Sequence, residues 1–349
     1  MKALVFDAYQ SAPVLREVPR PSPGPGEVLL KVAGAGACHS DISVYRGFTP
    51  ETGPPQLAPP FVLGHESSGW IEELGEGVHG LTPGNAFLGY GPIGCGHCRA
   101  CSRGQDTYCV NAATMPYLAA GLGRDGGMAE YVTVPARNLV PLGDADPVAA
   151  APLADAGLTP YHAIKLSMSR LQGGGRTVLV IGLGGLGQVA VQILTAITGA
   201  NVIATDTRED AMARAADRGA VTVAGGDGQA DAIRELTGGR GVDAVFDFVG
   251  VDATIELAMR AVATQGRVTV VGIANGTHVW RFFEVPYEVE LTSTYWGTIE
   301  DLYEVVDLYR SGQVSPDVEY FTLDQAPDAY EALEAGKLPG RAVVAPHGH

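Results

Sequence analysis

Gly173-Gly174-Gly175-Arg176-Thr177-Val178-Leu179-Val180-Ile181-Gly182-Leu183-Gly184-Gly185-Leu186-Gly187-Gln188 is the stretch whose reading decides the fold. Thr177 to Ile181 is β-branched and aliphatic without alternation, as a strand buried on both faces requires. It ends in Gly182-x-Gly184-x-x-Gly187 and runs straight into a helical pattern of apolar residues, Leu186, Val189, Ala190, Ile193, Leu194 and Ile197. Gly182 makes the tight turn, Gly184 lets the backbone approach a pyrophosphate, and Gly187 lets helix and strand pack closely. Gly185 lies in the same turn, whose N–H groups face the phosphates at the positive end of the helix. A second strand, Asn201 to Thr205, ends at Asp206, 19 residues past Gly187. An acid there accepts hydrogen bonds from an adenosine ribose and repels the 2′-phosphate of NADP, so NAD is the expected cofactor. The glycine pattern alone is a weak signal, and a turn that binds nothing is the alternative. Strand, turn, helix, strand and acid in this order point to a dinucleotide.

Outward from this stretch, the chain keeps alternating strand and helix patterns from about Pro152 onward. Strands are expected at Val221–Ala224, Ala244–Phe248 and Val268–Gly272, with helices such as Arg208–Arg218 and Gln229–Leu236 between them. Such alternation means a parallel, doubly wound sheet. Thr207-x-x-Asp210 reads as a capping pattern for the helix after Asp206. Upstream, from Lys2 to about Val140, strand-like runs are short and punctuated by Gly and Pro, as in the loops Pro19 to Gly26 and Thr49 to Pro60. That texture predicts an irregular, largely antiparallel β domain. After about Leu291 come a helix, Ile299 to Tyr309, and a strand-like run at Arg341–Ala345. A chain of 349 residues is too long for one ordinary core, so two domains are expected.

Apolar residues make up 46% of the chain and charged residues 18%, enough material for substantial cores. The net charge of −16 argues against partners such as nucleic acid or an anionic membrane, which need basic patches. Met1 to Asp7 starts like a strand rather than a signal core, and no apolar run has the length of a membrane span. A cytoplasmic location is the expectation.

The chain has 5 cysteines, an odd count that fits metal ligation better than a disulfide framework. Cys95, Cys98, Cys101 and Cys109 are spaced C-x2-C-x2-C-x7-C. Four thiolates on short loops suit tetrahedral zinc with no open position, a structural rather than reactive site. An iron–sulfur cluster also uses four thiolates and stays open as an alternative. A DNA-reading zinc finger is disfavoured by the acidity and the missing histidine pair. His97, inside the loop, would be a fifth ligand and reads as a bystander. Cys38, followed by His39-Ser40-Asp41, and His65, in Gly64-His65-Glu66, offer a second thiolate and imidazole. On residue type alone these are equally well a buried apolar cysteine and a satisfied histidine.

Gly64-His65-Glu66, Cys38-His39-Ser40-Asp41, the four-cysteine lobe and the Gly182–Gly187 turn stand in an order that resembles the zinc-dependent medium-chain alcohol dehydrogenases, over essentially the whole chain. Asp155-Ala156-Gly157-Leu158-Thr159-Pro160-Tyr161-His162 and Tyr295-Trp296-Gly297 bring it nearest in appearance to bacterial NAD-dependent secondary alcohol dehydrogenases. The resemblance implies an α/β architecture: a GroES-like, mainly β catalytic domain (1–154 and 293–349) and a Rossmann domain with a doubly wound parallel sheet (155–292), with a catalytic zinc in the cleft between them. It makes Asp155 the third ligand beside Cys38 and His65, where many relatives carry cysteine. A carboxylate keeps the ligand charge but is a harder donor. The plainer role for Asp155 is to cap a helix starting at Ala156. Glu66 resembles the carboxylate near this zinc.

The activity implied is hydride transfer between NAD and a small-molecule alcohol or ketone, the zinc lowering the pKa of the alcohol. Ser40 matches the residue that takes the alcohol proton. Ser43 stands where many relatives have the histidine that ends this relay. His39 and Arg341 match positions near the cofactor phosphates, and Thr159 and Leu186 positions against the nicotinamide. Ile273, Phe283, Tyr295 and Trp296 are the candidates for an apolar pocket favouring hydrophobic secondary alcohols. Alternatives are a polyol or amino-acid-alcohol dehydrogenase of the same superfamily, and a non-catalytic dinucleotide binder. A homo-oligomer, tetramer or dimer, is expected from the resemblance.

Overall fold

The computed structural model describes residues 1–349, which divide into two compact units. The first comprises Met1–Asp155, Thr298–Arg310 and Pro316–His349; the second comprises Ala156–Gly297 and Ser311–Ser315. The second unit thus reaches five residues past the 292 expected from sequence. Its sixth strand, Glu290–Ser293, was not anticipated. That strand pairs in parallel with Val262–Val270, which binds this segment to the parallel sheet.

In the second unit the strands lie side by side in the order Val221–Thr222, Asn201–Thr205, Thr177–Ile181, Val242–Asp247, Val262–Val270, Glu290–Ser293. Every pairing is parallel. The order reverses between the strands led by Thr177 and Val242, and in such sheets ligands bind outside the strand ends at that switch point. Thr177–Ile181 is buried along its whole length, as its unalternating sequence requires. It leads through the glycine turn into the helix Gly187–Ile197. The capping pattern at Thr207–Asp210 does not form. The helix Glu209–Asp217 starts with Arg208 at the cap and no side-chain cap bond. Asp206 instead accepts the N–H of the cap residue Arg208 at 2.9 Å, a turn ahead of the helix.

The first unit is built on a 7-stranded sheet. Its main path runs Leu139–Pro141, Ala86–Gly89, Glu66–Leu74, Glu27–Ala37, Arg341–Ala345, Val318–Thr322. Tyr131–Pro135 pairs with the Glu27–Ala37 strand, and a smaller sheet joins Val14–Glu17, Lys2–Phe6 and Phe61–Val62. The pairings in this unit are antiparallel except those of Val318–Thr322 with Arg341–Ala345 and of Ala119–Ala120 with Gly123–Arg124. The 11-residue Glu27–Ala37 strand is its spine, buried at nearly every position. No helix of the molecule is long and apolar enough to cross a membrane.

Candidate active site

Strand register brings the first group of residues together. Gly36 pairs with Glu66 and Ala37 with Ala342, so the Glu27–Ala37 strand releases Cys38 beside His65 and Glu66 on one side and Arg341 on the other. A side chain on Gly36 would put its Cβ inside the Glu66 carboxylate, so only glycine leaves room for that acid. Asp155 arrives from the end of the short 3-10 helix Ala151–Ala154. It does not cap the next helix, which begins at Leu158 with Gly157 at its cap.

The ligand atoms of Cys38, His65, Glu66 and Asp155 all lie within 4.8 Å of one another. Cys38 Sγ is 3.6 Å from Asp155 Oδ2, which is 3.9 Å from His65 Nε2. Cys38, His65 and Glu66 are buried, while the Asp155 side chain keeps 14% of its surface open. Ser40 Oγ sits 3.3 Å from His65 Nε2. Ser43 does not continue from it; its hydroxyl donates to the His39 carbonyl at 3.1 Å, within the same short helical segment.

Arg341 is buried, with its guanidinium inside this cluster. It donates to both Glu66 oxygens, to Asp155 Oδ2 at 3.1 Å and to Cys38 Sγ at 3.4 Å. The head group expected at a pyrophosphate is here engaged by the carboxylates and the thiol. Burial pushes the Glu66 carboxyl up to about 7 against the pull of Arg341. Burial also opposes charge on His65, yet Asp41 and Asp155 outweigh it and hold the imidazole well above its ordinary range. The carboxylates on either side of it thus favour positive charge in this pocket. A divalent cation there meets that preference: Cys38 and Asp155 supply two negative charges, and Glu66 is offset by Arg341. Thiolate, imidazole and carboxylate are zinc donors, three of them leaving a fourth position open.

Asp41 escaped the sequence reading as a functional residue. Fully buried, it accepts His65 Nδ1–H at 2.9 Å and the Cys38 N–H at 3.1 Å. The first bond keeps the Nδ1 proton on the Asp41 side and turns Nε2 toward Cys38 and Asp155, as a metal ligand requires. The second is a reach back to the helix cap, for which an acid three positions past Cys38 was a legible sign.

Cys95, Cys98, Cys101 and Cys109 form the second cluster, also within 4.8 Å, with no disulfide among them. N–H groups point at the sulfurs: Cys95 N–H at Cys109 Sγ, Cys101 N–H at Cys98 Sγ and Asn111 Nδ2 at Cys95 Sγ, the last at 3.3 Å. Backbone N–H from His97, then Asn111, lowers the Cys95 thiol to about 6, whereas burial raises Cys101 to about 12. Four sulfurs so close carry thiolate charge together only around a cation, and four thiols with no other donor suit a closed zinc site. Gly94 makes room, since a Cβ there would lie 2.4 Å from Cys101 Sγ. The buried Asp106 braces the lobe, accepting the Gly94 N–H at 2.9 Å and Arg137 Nη1–H at 3.0 Å.

In the second unit, Gly182 has a φ of 85°, and a Cβ on Gly187 would lie 1.8 Å from the Gly182 carbonyl oxygen. A Cβ on Gly184 would meet nothing within 4 Å. The protein itself gives no reason for glycine at 184; the open space in front of it is what a phosphate needs. Asp206 Oδ2 accepts the Leu183 N–H at 2.6 Å, joining the acid to the turn, and Arg208 Nε lies 3.6 Å from Oδ1. Thr159 is buried in the helix Leu158–Leu166, and Leu186 caps the helix after the turn. Of the pocket candidates, Tyr295 and Trp296 meet edge-on at 5.6 Å, with Trp296 buried. Ile273 and Phe283 are 59% and 87% exposed, so they stand on the surface of this unit.

A parallel sheet carrying a dinucleotide turn and a β unit carrying two metal-ligand clusters together define a metal-dependent, nucleotide-linked dehydrogenase. A profile of the alcohol dehydrogenase GroES-like domain matches residues 24–144, and one of the zinc-binding dehydrogenases matches residues 185–311. An NAD-dependent alcohol dehydrogenase of Sulfolobus acidocaldarius is 34% identical, over 99% of each chain. The crystal structure of the Aeropyrum pernix alcohol dehydrogenase superposes with a TM-score of 0.90 at 35% identity, covering 99% of this chain and 100% of that one. An acetophenone reductase from Geotrichum candidum, solved in complex with NAD, gives 0.85 at 34% identity, covering 99% and 96%. The chain belongs to the zinc-binding medium-chain alcohol dehydrogenase family.

Proposed function

We propose that this chain is an NAD-dependent alcohol dehydrogenase with one catalytic and one structural zinc, oxidising hydrophobic secondary alcohols and reducing the matching ketones. The observation that carries the proposal is the Cys38, His65, Asp155 donor set, beside Ser40 and with Asp155 still partly open, in a chain of this family. Zinc, when bound, supplies Lewis-acid polarisation of the alcohol oxygen, and NAD supplies the hydride acceptor.

The residues do the rest. Cys38, His65 and Asp155 hold the metal, and Cys95, Cys98, Cys101 and Cys109 hold the structural one. Ser40 Oγ, beside His65, would take the proton of the alcohol and give up its own. Ser43, whose hydroxyl donates to the His39 carbonyl, lacks the basic imidazole that ends the relay in many relatives. Glu66 and Arg341 form a neutral pair behind the metal. With a metal held by Cys38 and Asp155, Arg341 would keep its bonds to Glu66 and its other donors would be available to an anion. By the family resemblance His39 would serve the cofactor phosphates. Gly182, Gly184, Gly185, Leu186 and Gly187 cradle the pyrophosphate and nicotinamide with Thr159, and Asp206 holds the ribose. Tyr295 and Trp296 shape the apolar side of substrate recognition, whereas Ile273 and Phe283, exposed on the surface of their unit, are left out of it.

Metal analysis of the purified protein, paired with NAD-linked oxidation of a panel of secondary alcohols, tests the reading. Two zincs per chain with turnover of 2-alkanols is the expected result; one zinc and no turnover overturns it. A homo-oligomer, dimer or tetramer, working in the cytoplasm completes the proposal. Glu290–Ser293 is an edge strand, and Trp280, Phe282, Phe283 and Tyr287 stand exposed in the segment leading to it, a patch that a monomer has reason to cover. Light scattering should give two or four times the 36.3 kDa chain mass, and a monomer would refute this part.

A further inference from the structure

We propose that Tyr330 is a positioning residue of the Cys38–His65–Asp155 metal site, acting on it through Asp41. The inference rests on the reading of those three residues as metal ligands. Asp41 is fully buried and its two oxygens divide the work. Oδ1 receives His65 Nδ1–H at 2.9 Å, while Oδ2 receives the Cys38 N–H at 3.1 Å and the Tyr330 hydroxyl at 2.8 Å. One carboxylate therefore steadies two ligand-bearing residues, and its own orientation is fixed from outside by a phenol 289 residues away in sequence.

Tyr330 lies on the helix Ala326–Glu334, and only 2% of it is exposed. Its ring meets the buried Tyr45 edge-on at 6.1 Å, so packing as well as the hydrogen bond fixes where the hydroxyl points. A hydroxyl donating to a carboxylate makes a charge-assisted bond, roughly twice as strong as a neutral one. A carboxylate lacking it can turn about its Cα–Cβ and Cβ–Cγ bonds, and any turn of Oδ2 moves Oδ1 relative to the imidazole. The tilt of His65, and with it the aim of Nε2, is thereby tied to the helix Ala326–Glu334. The same stretch of chain goes on to Arg341, so residues 326–341 touch the site twice, at Asp41 and at Glu66.

The test uses the full-length, zinc-loaded protein and reads metal retention rather than turnover. Zinc release to a chromophoric chelator is followed for the parent, Tyr330→Phe, Tyr45→Phe, Asp41→Asn and the Tyr330→Phe/Asp41→Asn pair. Tyr330→Phe should weaken one zinc about tenfold, the scale of an outer-shell partner, and leave the four-thiol zinc unchanged. Cobalt substituted at the weakened site should show shifted d–d bands. In the Asp41→Asn background, adding Tyr330→Phe should change affinity less than twofold, because its route is already cut. Tyr45→Phe removes a buried hydroxyl from the same packing and should leave both zincs as in the parent.

Affinity of Tyr330→Phe within twofold of the parent overturns the inference. So does an undiminished loss in the Asp41→Asn background, or an equal loss in Tyr45→Phe, which would mark general packing damage. A parent that binds only the four-thiol zinc refutes the underlying reading of the ligands instead, so the two failures are separable.

Discussion

Gly184 and Gly187 sit three residues apart, and the structure sets opposite demands on them. A methyl at Gly184 would meet no protein atom within 4 Å, and the residue is outside the left-handed region of φ. Gly184→Ala should therefore fold as well as the parent and gain about 0.4–1 kcal/mol through a less flexible unfolded chain. The same methyl projects into the space a pyrophosphate would fill. Losing one charge-assisted backbone bond there costs about 1.5–3 kcal/mol, or roughly ten- to hundredfold in the Kd for NADH. A methyl at Gly187 would stand 1.8 Å from the Gly182 oxygen and 2.8 Å from its carbonyl carbon, both backbone atoms. Strand and helix must move apart, at a cost of order 3 kcal/mol, which is roughly 6–12 °C in Tm. Thermal melts without ligand, followed by NADH fluorescence titrations, separate the two. Gly184→Ala should melt at or above the parent and bind weakly, and Gly187→Ala should melt low. If Gly184→Ala binds NADH like the parent, or melts below Gly187→Ala, the division of labour in the turn is wrong.

Other outcomes follow from the metal sites and the ribose acid. Asp155→Ala should reduce zinc from two per chain to one by metal analysis and abolish turnover, with the four-thiol zinc retained; full activity would remove Asp155 from the site. Asp206→Ala should narrow the preference for NAD over NADP, read as the ratio of kcat/KM values, since the acid at the end of Asn201–Thr205 would no longer repel a 2′-phosphate. An unchanged ratio points to another discriminator, with Arg208 next in line. Arg137→Ala strands the buried Asp106 carboxylate beside the four thiols. It should cost about 1.5–3 kcal/mol of stability and speed zinc loss from that lobe to a chelator, while equal release rates would show that the pair does not brace it.

What the sequence made legible was local. The glycine turn and the four-thiol lobe are written in short spacings, because each is held by a few neighbouring residues and a loop's own geometry. Asp155 was legible only through resemblance, since its partners Cys38 and His65 lie 117 and 90 residues upstream and nothing near it in sequence marks a ligand. The engagement of Arg341 with Glu66 was hidden for a similar reason: it depends on Ala342 pairing with Ala37, a register that no periodicity encodes. Asp41 stood in plain view beside Ser40 but looked like an ordinary helix-start acid. Only the return of the chain near Tyr330 gives it a second task. Ile273 and Phe283 show the converse, because an aromatic or aliphatic residue in a strand-rich segment does not announce whether it faces a pocket or the solvent.

The interruption of the first unit by the second also governs when a metal can be held. Cys38 and Asp155 are made before the parallel sheet, whereas Arg341 is joined to Cys38 across 303 residues. The parallel unit is almost continuous in sequence and can form first, with its neighbour left unfinished. During synthesis, then, the sheet that carries Cys38 and Glu66 cannot be completed until the Arg341–Ala345 strand enters between Glu27–Ala37 and Val318–Thr322. The surroundings of this site are therefore complete only once the end of the chain has been made, whereas the four-thiol lobe has all its ligands within fifteen residues.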